Sequence, residues 1–174
     1  MFRVCFKFVV NYSLTTNTFI IGTLDDSTFY KACRKGNLRE IRKLVEDVDP
    51  QLLCEKLTMA SRGSRQVGYS LSPLHECVSS GKSDVLNYLL DTVKRKGQGK
   101  VTVNLDCKAN HGGYTPLHYA ASYGNHECVR VLLVHGVDIM CTDDYGKTPK
   151  ETAVLSGKHR IVKLLYSEGT CMFY

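Results

Sequence analysis

The eight cysteines of this 174-residue chain (Cys5, Cys33, Cys54, Cys77, Cys107, Cys128, Cys141 and Cys171) include no C-x-x-C pair and no Cys/His grouping of zinc-finger spacing. That absence removes the zinc-stapled small domains, and no metal site is expected. There is also no G-x-S-x-G, no H-E-x-x-H and no glycine-rich dinucleotide turn. The hydrolase elbow, the zinc-protease helix and the nucleotide-cofactor fold therefore have no starting point. Long apolar runs are missing as well. Residues 1–24 come nearest, but Asn11, Ser13, Thr15, Thr16, Asn17 and Thr18 interrupt them. A secretory signal needs an unbroken apolar run of about 7–15 residues and a spanning helix about 20, so neither signal nor membrane contact is expected. Residues 1–24 read as a short strand or a loosely attached segment that is not part of any repeat.

Acidic residues are absent from two stretches, and this locates the net charge of +6. The segment Lys94-Arg95-Lys96-Gly97-Gln98-Gly99-Lys100 holds four bases, and residues 1–24 hold Arg3 and Lys7. Those six account for the whole excess and leave the rest of the chain balanced, so nucleic acid is not the expected partner. Several cysteines fall inside apolar helical patterns, where a free thiol behaves as a small hydrophobe. Scattered free thiols favour a reducing compartment, cytoplasm or nucleus.

What the chain does contain is self-similarity. YTPLHYAASYGNHECVRVLLVHGVDI from Tyr114 is echoed 33 residues later by KTPKETAVLSGKHRIVKLLYSEGT. LSPLHECVSSGKSDVLNYLL from Leu71 is an earlier copy, and STFYKACRKGNLREIRKLVED from Ser27 a more diverged one. The spacings Pro73 to Gly81, Pro116 to Gly124 and Pro149 to Gly157 are identical. Proline suits the first turn of a helix, and the preceding Ser72, Thr115 or Thr148 can cap it. The glycine eight residues on ends that helix. A second helix follows, with apolar residues at helical spacing: Val85, Leu86, Leu89, Leu90; Cys128, Val129, Leu132, Leu133; Ile161, Val162, Leu164, Leu165. Each pair is too small to cover its own apolar face, so neighbours must stack.

A period near 33 headed by T-P-L-H-x-A resembles the ankyrin repeat. The resemblance covers about residues 25–170 and implies an all-α repeat fold: an α-solenoid of helix-turn-helix units joined by β-hairpin loops. Repeats are expected at about 25–55, 69–105, 112–143 and 145–170, with insertions at 56–68 and 92–103 and a tail at 171–174. The insertions read as surface loops, with a nuclear-import signal or a nucleic-acid contact as the sharper readings of 94–100. In the first copy Glu40 and Lys43 stand where later copies are mainly apolar, which reads as a solvent-facing end cap.

The chemical readings are weighed against this register. Gly146-Lys147-Thr148 lacks the earlier glycine of a phosphate loop, since Cys141 stands there. His75 and His118 occupy the histidine position that, by the resemblance, braces adjoining hairpins; Pro73, Pro116, Pro149, Gly81, Gly124 and Gly157 are structural too. Cys107 and Cys141, 34 residues apart in equivalent hairpin places, are expected to face one another across neighbouring repeats, as packing. No catalytic residue and no cofactor are expected. The family's concave face, carried over by register, comprises Arg34, Leu71, Ser79, His111, Tyr114, Ser122, Tyr123, Asp144, Tyr145, Lys147 and Leu155. Tyr114, Tyr123 and Tyr145 are its expected anchors, because tyrosine offers a large contact area and one polar tip at low entropy cost. The expected function is non-enzymatic binding of one or more proteins by a monomer, as adaptor, scaffold or regulatory subunit. The alternative is the substrate-recruiting region of a larger enzyme such as a tankyrase-like protein.

Overall fold

The structure, a computed structural model, describes residues 26–59 and 71–170. Prolines set three helix starts. Pro73, Pro116 and Pro149 open α4 (Pro73–Ser79), α6 (Pro116–Tyr123) and α8 (Pro149–Leu155), each preceded by a Ser or Thr in extended conformation. A missing N–H costs nothing at that position, and φ is already helical. In α8 the cap is reciprocal: the Thr148 N–H donates to Glu151 Oε2 at 2.7 Å, and the Glu151 N–H donates to Thr148 Oγ1 at 3.3 Å. Glycine ends these helices where the chain turns left-handed, with φ +67° at Gly81, +78° at Gly124 and +67° at Gly157, a region that other residues enter only at a cost.

The partners of these short helices are α5 (Ser83–Lys96), α7 (His126–Val134) and α9 (His159–Thr170), with α1 (Asp26–Lys35) and α2 (Leu38–Val45) as the first pair. Packing runs in two rows: α1, α4, α6 and α8 form an inner row, and α2, α5, α7 and α9 an outer one. Val85, Leu86, Leu89, Leu90, Cys128, Val129, Leu132, Ile161 and Leu165 are buried between the rows, with Leu133, Val162 and Leu164 partly covered. The core is thus one continuous apolar layer to which every unit contributes, as a stack of incomplete pairs requires. No strand occurs among the described residues. The connections are turns, joined where the Ala109 N–H donates to Tyr114 O at 2.9 Å and the Asp143 N–H to Lys147 O at 2.9 Å. Adjoining turns are linked from the Asp144 N–H to Gly112 O at 3.0 Å.

Both expected insertions carry structure. Residues 50–58 form a helix, α3 (Pro50–Thr58), capped by Asp49 Oδ1, which accepts from the N–H groups of Gln51 and Leu52. Its Leu53 and Leu57 are fully buried and it packs on α4 and α5. Residues 56–58 therefore end a helix rather than open a loop; the rest of the 56–68 segment, from 60 on, lies outside the described residues. Residues 92–96 are the last turns of α5. The 101–105 stretch is held down by Val101, Val103 and Leu105 packing on the core and by the Cys54 thiol donating to Thr102 O at 3.3 Å.

Within the basic run, Lys96 has a structural task. Its ammonium donates to Val45 O at 2.7 Å, Glu46 O at 2.5 Å and Val48 O at 3.1 Å, carbonyls at the end of α2 and just beyond it. A cation at a helix C-terminus satisfies orphan acceptors and complements the helix dipole. One of the four bases read as a contact signal is thereby committed to joining the first two units. In α2 itself, Ile41 and Val45 face inward while Lys43 is exposed. Glu40 accepts from Asn37 Nδ2, and Arg42 lies 5.4 Å over the Tyr88 ring.

Candidate binding face

The first question is whether the T-P-L-H residues do chemistry. In the second unit the Ser72 hydroxyl lies 2.7 Å from His75 Nδ1, and His75 Nε2 lies 3.2 Å from Tyr114 O. In the third, Thr115 Oγ1 and Thr115 N lie 2.8 and 3.3 Å from His118 Nδ1, and His118 Nε2 lies 2.8 Å from Lys147 O. A carbonyl accepts only, so Nε2 carries the proton and Nδ1 accepts, which is the neutral ring. Each imidazole therefore stitches the cap of one unit to the turn of the next.

Cys107 and Cys141 extend these chains. The Cys107 thiol lies beside the Ser72 hydroxyl and the Cys141 thiol 3.5 Å from Thr115 Oγ1. The two sit one unit apart, each on the cap of its own unit. Thiol, hydroxyl and imidazole in a row look like a nucleophile relay, but the ionisation is wrong for one. Burial holds the His75 ring down to about 4 and lowers His118 too, while it pushes the Cys107 thiol up to about 11 and raises Cys141. A reactive cysteine needs a stabilised thiolate; here both partners are held neutral, and each Nε2 is occupied by a backbone carbonyl. Among the described residues no group of three or more His, Cys, Asp or Glu is placed to hold a metal ion, and no helix is long and apolar enough to cross a membrane.

The inner row of helices and the turn tips form the face expected to bind. Equivalent positions line up as Lys31, Glu76, Tyr119, Thr152, then Arg34, Ser79, Ser122, Leu155, then Lys35, Ser80, Tyr123, Ser156. Tyr123, Tyr145 and Leu155 are 57%, 73% and 68% exposed, far above what a core side chain shows. Lys147, Asp144 and His111 are exposed, and Leu71, Ser79 and Ser122 are half-buried. The structure ties several of these down. Arg34 Nε pairs with Glu76 Oε1 at 3.3 Å, the Ser79 hydroxyl donates to Glu76 O, and Asp144 lies 3.9 Å from the Lys108 ammonium.

Tyr114 differs from the other two tyrosines. It is half-buried, edge-on to His118 at 5.8 Å and to Tyr119 at 5.7 Å, and so braces as well as presents. Tyr119, which sequence reasoning passed over, joins the cluster: it meets His75 edge-on at 5.5 Å and stacks on Tyr123 at 6.3 Å with 12° between planes. Glu76 was also passed over. It is 8% exposed and accepts from the Tyr30 hydroxyl at 2.9 Å, with Tyr30 standing where the second and third units have histidine and the fourth has Glu151. The register signal for both was present, since each follows the histidine position by one residue. Gly113 marks the tightest approach at the tips: a side chain there would run into the Asp144 carboxylate, and its φ is +61°.

Residues 74–172 match the family model described as ankyrin repeats (3 copies). The mouse ankyrin repeat domain-containing protein 13C is 34% identical over 96 residues, covering 55% of this chain and 16% of the relative. The tyrosine-protein kinase HTK16 of Hydra vulgaris is 24% identical over 163 residues, covering 79% of this chain and 20% of the relative. This chain thus spans less than a quarter of the length of either. A chain in the crystal structure of the yeast ribosomal protein Rps3 in complex with its chaperone Yar1 shares the fold, with a TM-score of 0.66 at 21% identity over 82% of this chain and 91% of that one. With the stacked pairs, the histidine braces and the family match in agreement, the chain belongs to the ankyrin repeat family.

Proposed function

We propose that this chain is a non-enzymatic protein-interaction module that captures a partner protein on its concave face. One observation carries the reading: Tyr123, Tyr145 and Leu155 stand more than half exposed on adjoining units of the same face. Elsewhere in the T-P-L-H units the polar side chains are absorbed by caps and braces. Large amphipathic side chains left over by the fold are the usual anchors of an interface. The chain that shares this fold was crystallised within a two-protein complex, which supports the same use of the architecture. Six free cysteines among the described residues suit a reducing compartment, cytoplasm or nucleus.

The test is a double variant, Tyr123→Ala with Tyr145→Ala, which leaves the Tyr114 brace intact. Partner recovery from cell extract, quantified against wild type, is expected to fall at least about tenfold, since two central anchors are each worth about 1–2 kcal/mol or more. The melting temperature should move little. Undiminished recovery would place the binding face elsewhere.

A further inference from the structure

The concave face carries charge that the fold leaves unmatched, and this specifies a partner. Of its carboxylates, Glu76 is held by Arg34 and Tyr30 and Asp144 by Lys108. Lys31 and Lys35 are exposed on the same face with no ion-pair partner among the described residues, and Lys147 is exposed at a turn tip, where its charge and that of Lys150 are shared with the exposed Glu151 carboxylate. Lys31 and Lys35 flank one end of the row, in the first unit. Lys147 stands at the tip of the fourth. Between them lies the aromatic floor of Tyr119 and Tyr123, with Leu155 beyond.

Resting on the concave-face reading above, we propose that the partner segment is an extended acidic peptide with an apolar or aromatic residue between two groups of carboxylates. Inner helices one unit apart lie roughly 8–10 Å from each other, so the first-unit lysines stand about 20 Å from the third-unit tyrosines. An extended chain advances about 3.3 Å per residue. The carboxylates that meet Lys31 and Lys35 therefore fall about six residues from the residue seated on Tyr119 and Tyr123, and those that meet Lys147 lie on its other side. A nucleic-acid strand fits less well. Its charge is continuous, one per nucleotide, and would run across the Glu76 and Asp144 carboxylates, whereas a peptide places its charges only where lysines meet them.

The test is selection of a display library of random peptides, about 16 residues long, on the full chain. Selected peptides are then measured against three proteins: wild type, Tyr123→Ala/Tyr145→Ala, and Lys31→Glu/Lys35→Glu/Lys147→Glu. The expected result is enrichment of Asp/Glu-rich peptides with a central aromatic or leucine. Their affinity should fall at least about tenfold in either variant, and about tenfold in wild type when salt rises from about 50 to 300 mM. Peptides that need the tyrosines but carry no acidic excess overturn this inference and leave the concave-face reading standing. A selection yielding no peptide sensitive to the tyrosine variant overturns that reading and this inference with it. A 16-nucleotide single strand that binds more tightly than the peptides, with the same lysine dependence, assigns the face to nucleic acid instead.

Discussion

Replacing Leu132 by Asp should abolish the cooperative unfolding transition of the whole stack, and not of its own unit alone. Leu132 is fully buried in α7, between α5 and α9 in the outer row. Removing it forfeits about 1.5–3 kcal/mol of apolar burial. A carboxylate in its place must also be taken out of water, or protonated at a cost of several kcal/mol more. Native domains hold only about 5–15 kcal/mol in total, so the substitution consumes most or all of it. Failure should spread because each interface in a stack is shared, and losing α7 uncovers the apolar faces of the second and fourth units as well. Circular dichroism melts read this directly. A sharp transition retained at near the wild-type temperature would mean that the units fold independently.

The second large effect is a loss of stability on mild acidification. The His75 ring is held neutral, with its folded value lowered from 6.5 to about 4 by burial, and His118 is shifted in the same direction. Between the unfolded and folded values the unfolded chain binds the proton and the native chain does not, so stability falls as pH falls. The contribution is fully present above about pH 6.5 and is lost progressively as pH drops toward 4. For His75 alone the span is worth about 3 kcal/mol. Glu151, lowered by its hydrogen bonds with Thr148, adds to the loss at the acid end. Asp106 opposes it, since burial raises its carboxyl and acid favours its folded state. Urea midpoints at pH 7.5, 6, 5 and 4.5 measure the slope, and His75→Gln is the control: the curve should flatten in the variant. Parallel curves for the two proteins would remove His75 as the source.

The legibility of these features in the sequence follows from how local they are. Pro116, Gly124 and the leucines of α7 act through the backbone of their own unit, so their spacing alone defined helix starts, stops and the shared core. His75 and His118 were read as braces through their register, and their actual acceptors, Tyr114 O and Lys147 O, lie 39 and 29 residues away. Lys96 shows the limit. In the sequence it is one of four bases in a run, and nothing local says that its ammonium reaches carbonyls 48 to 51 residues earlier. Helix α3 was a different kind of miss, because Asp49-Pro50 is an ordinary cap and first-turn pair with leucines behind it. The helix lies outside the repeat pattern, which has no position for it. On the concave face, Tyr123 and Tyr145 were legible as side chains the fold does not use, but the double duty of Tyr114 depends on ring contacts with His118 and Tyr119 that only the folded stack creates.

The claim on which the account turns is that partners meet the inner face and not the outer one. Photo-crosslinking decides it. A benzophenone amino acid is placed at Tyr123 in one protein and at Val134 in another; Val134 is 83% exposed on the outer helix α7. Both are irradiated in cell extract and the adducts compared by gel shift and mass spectrometry. A discrete adduct is expected from the Tyr123 position and none from Val134. An adduct from Val134 with none from Tyr123 would contradict it.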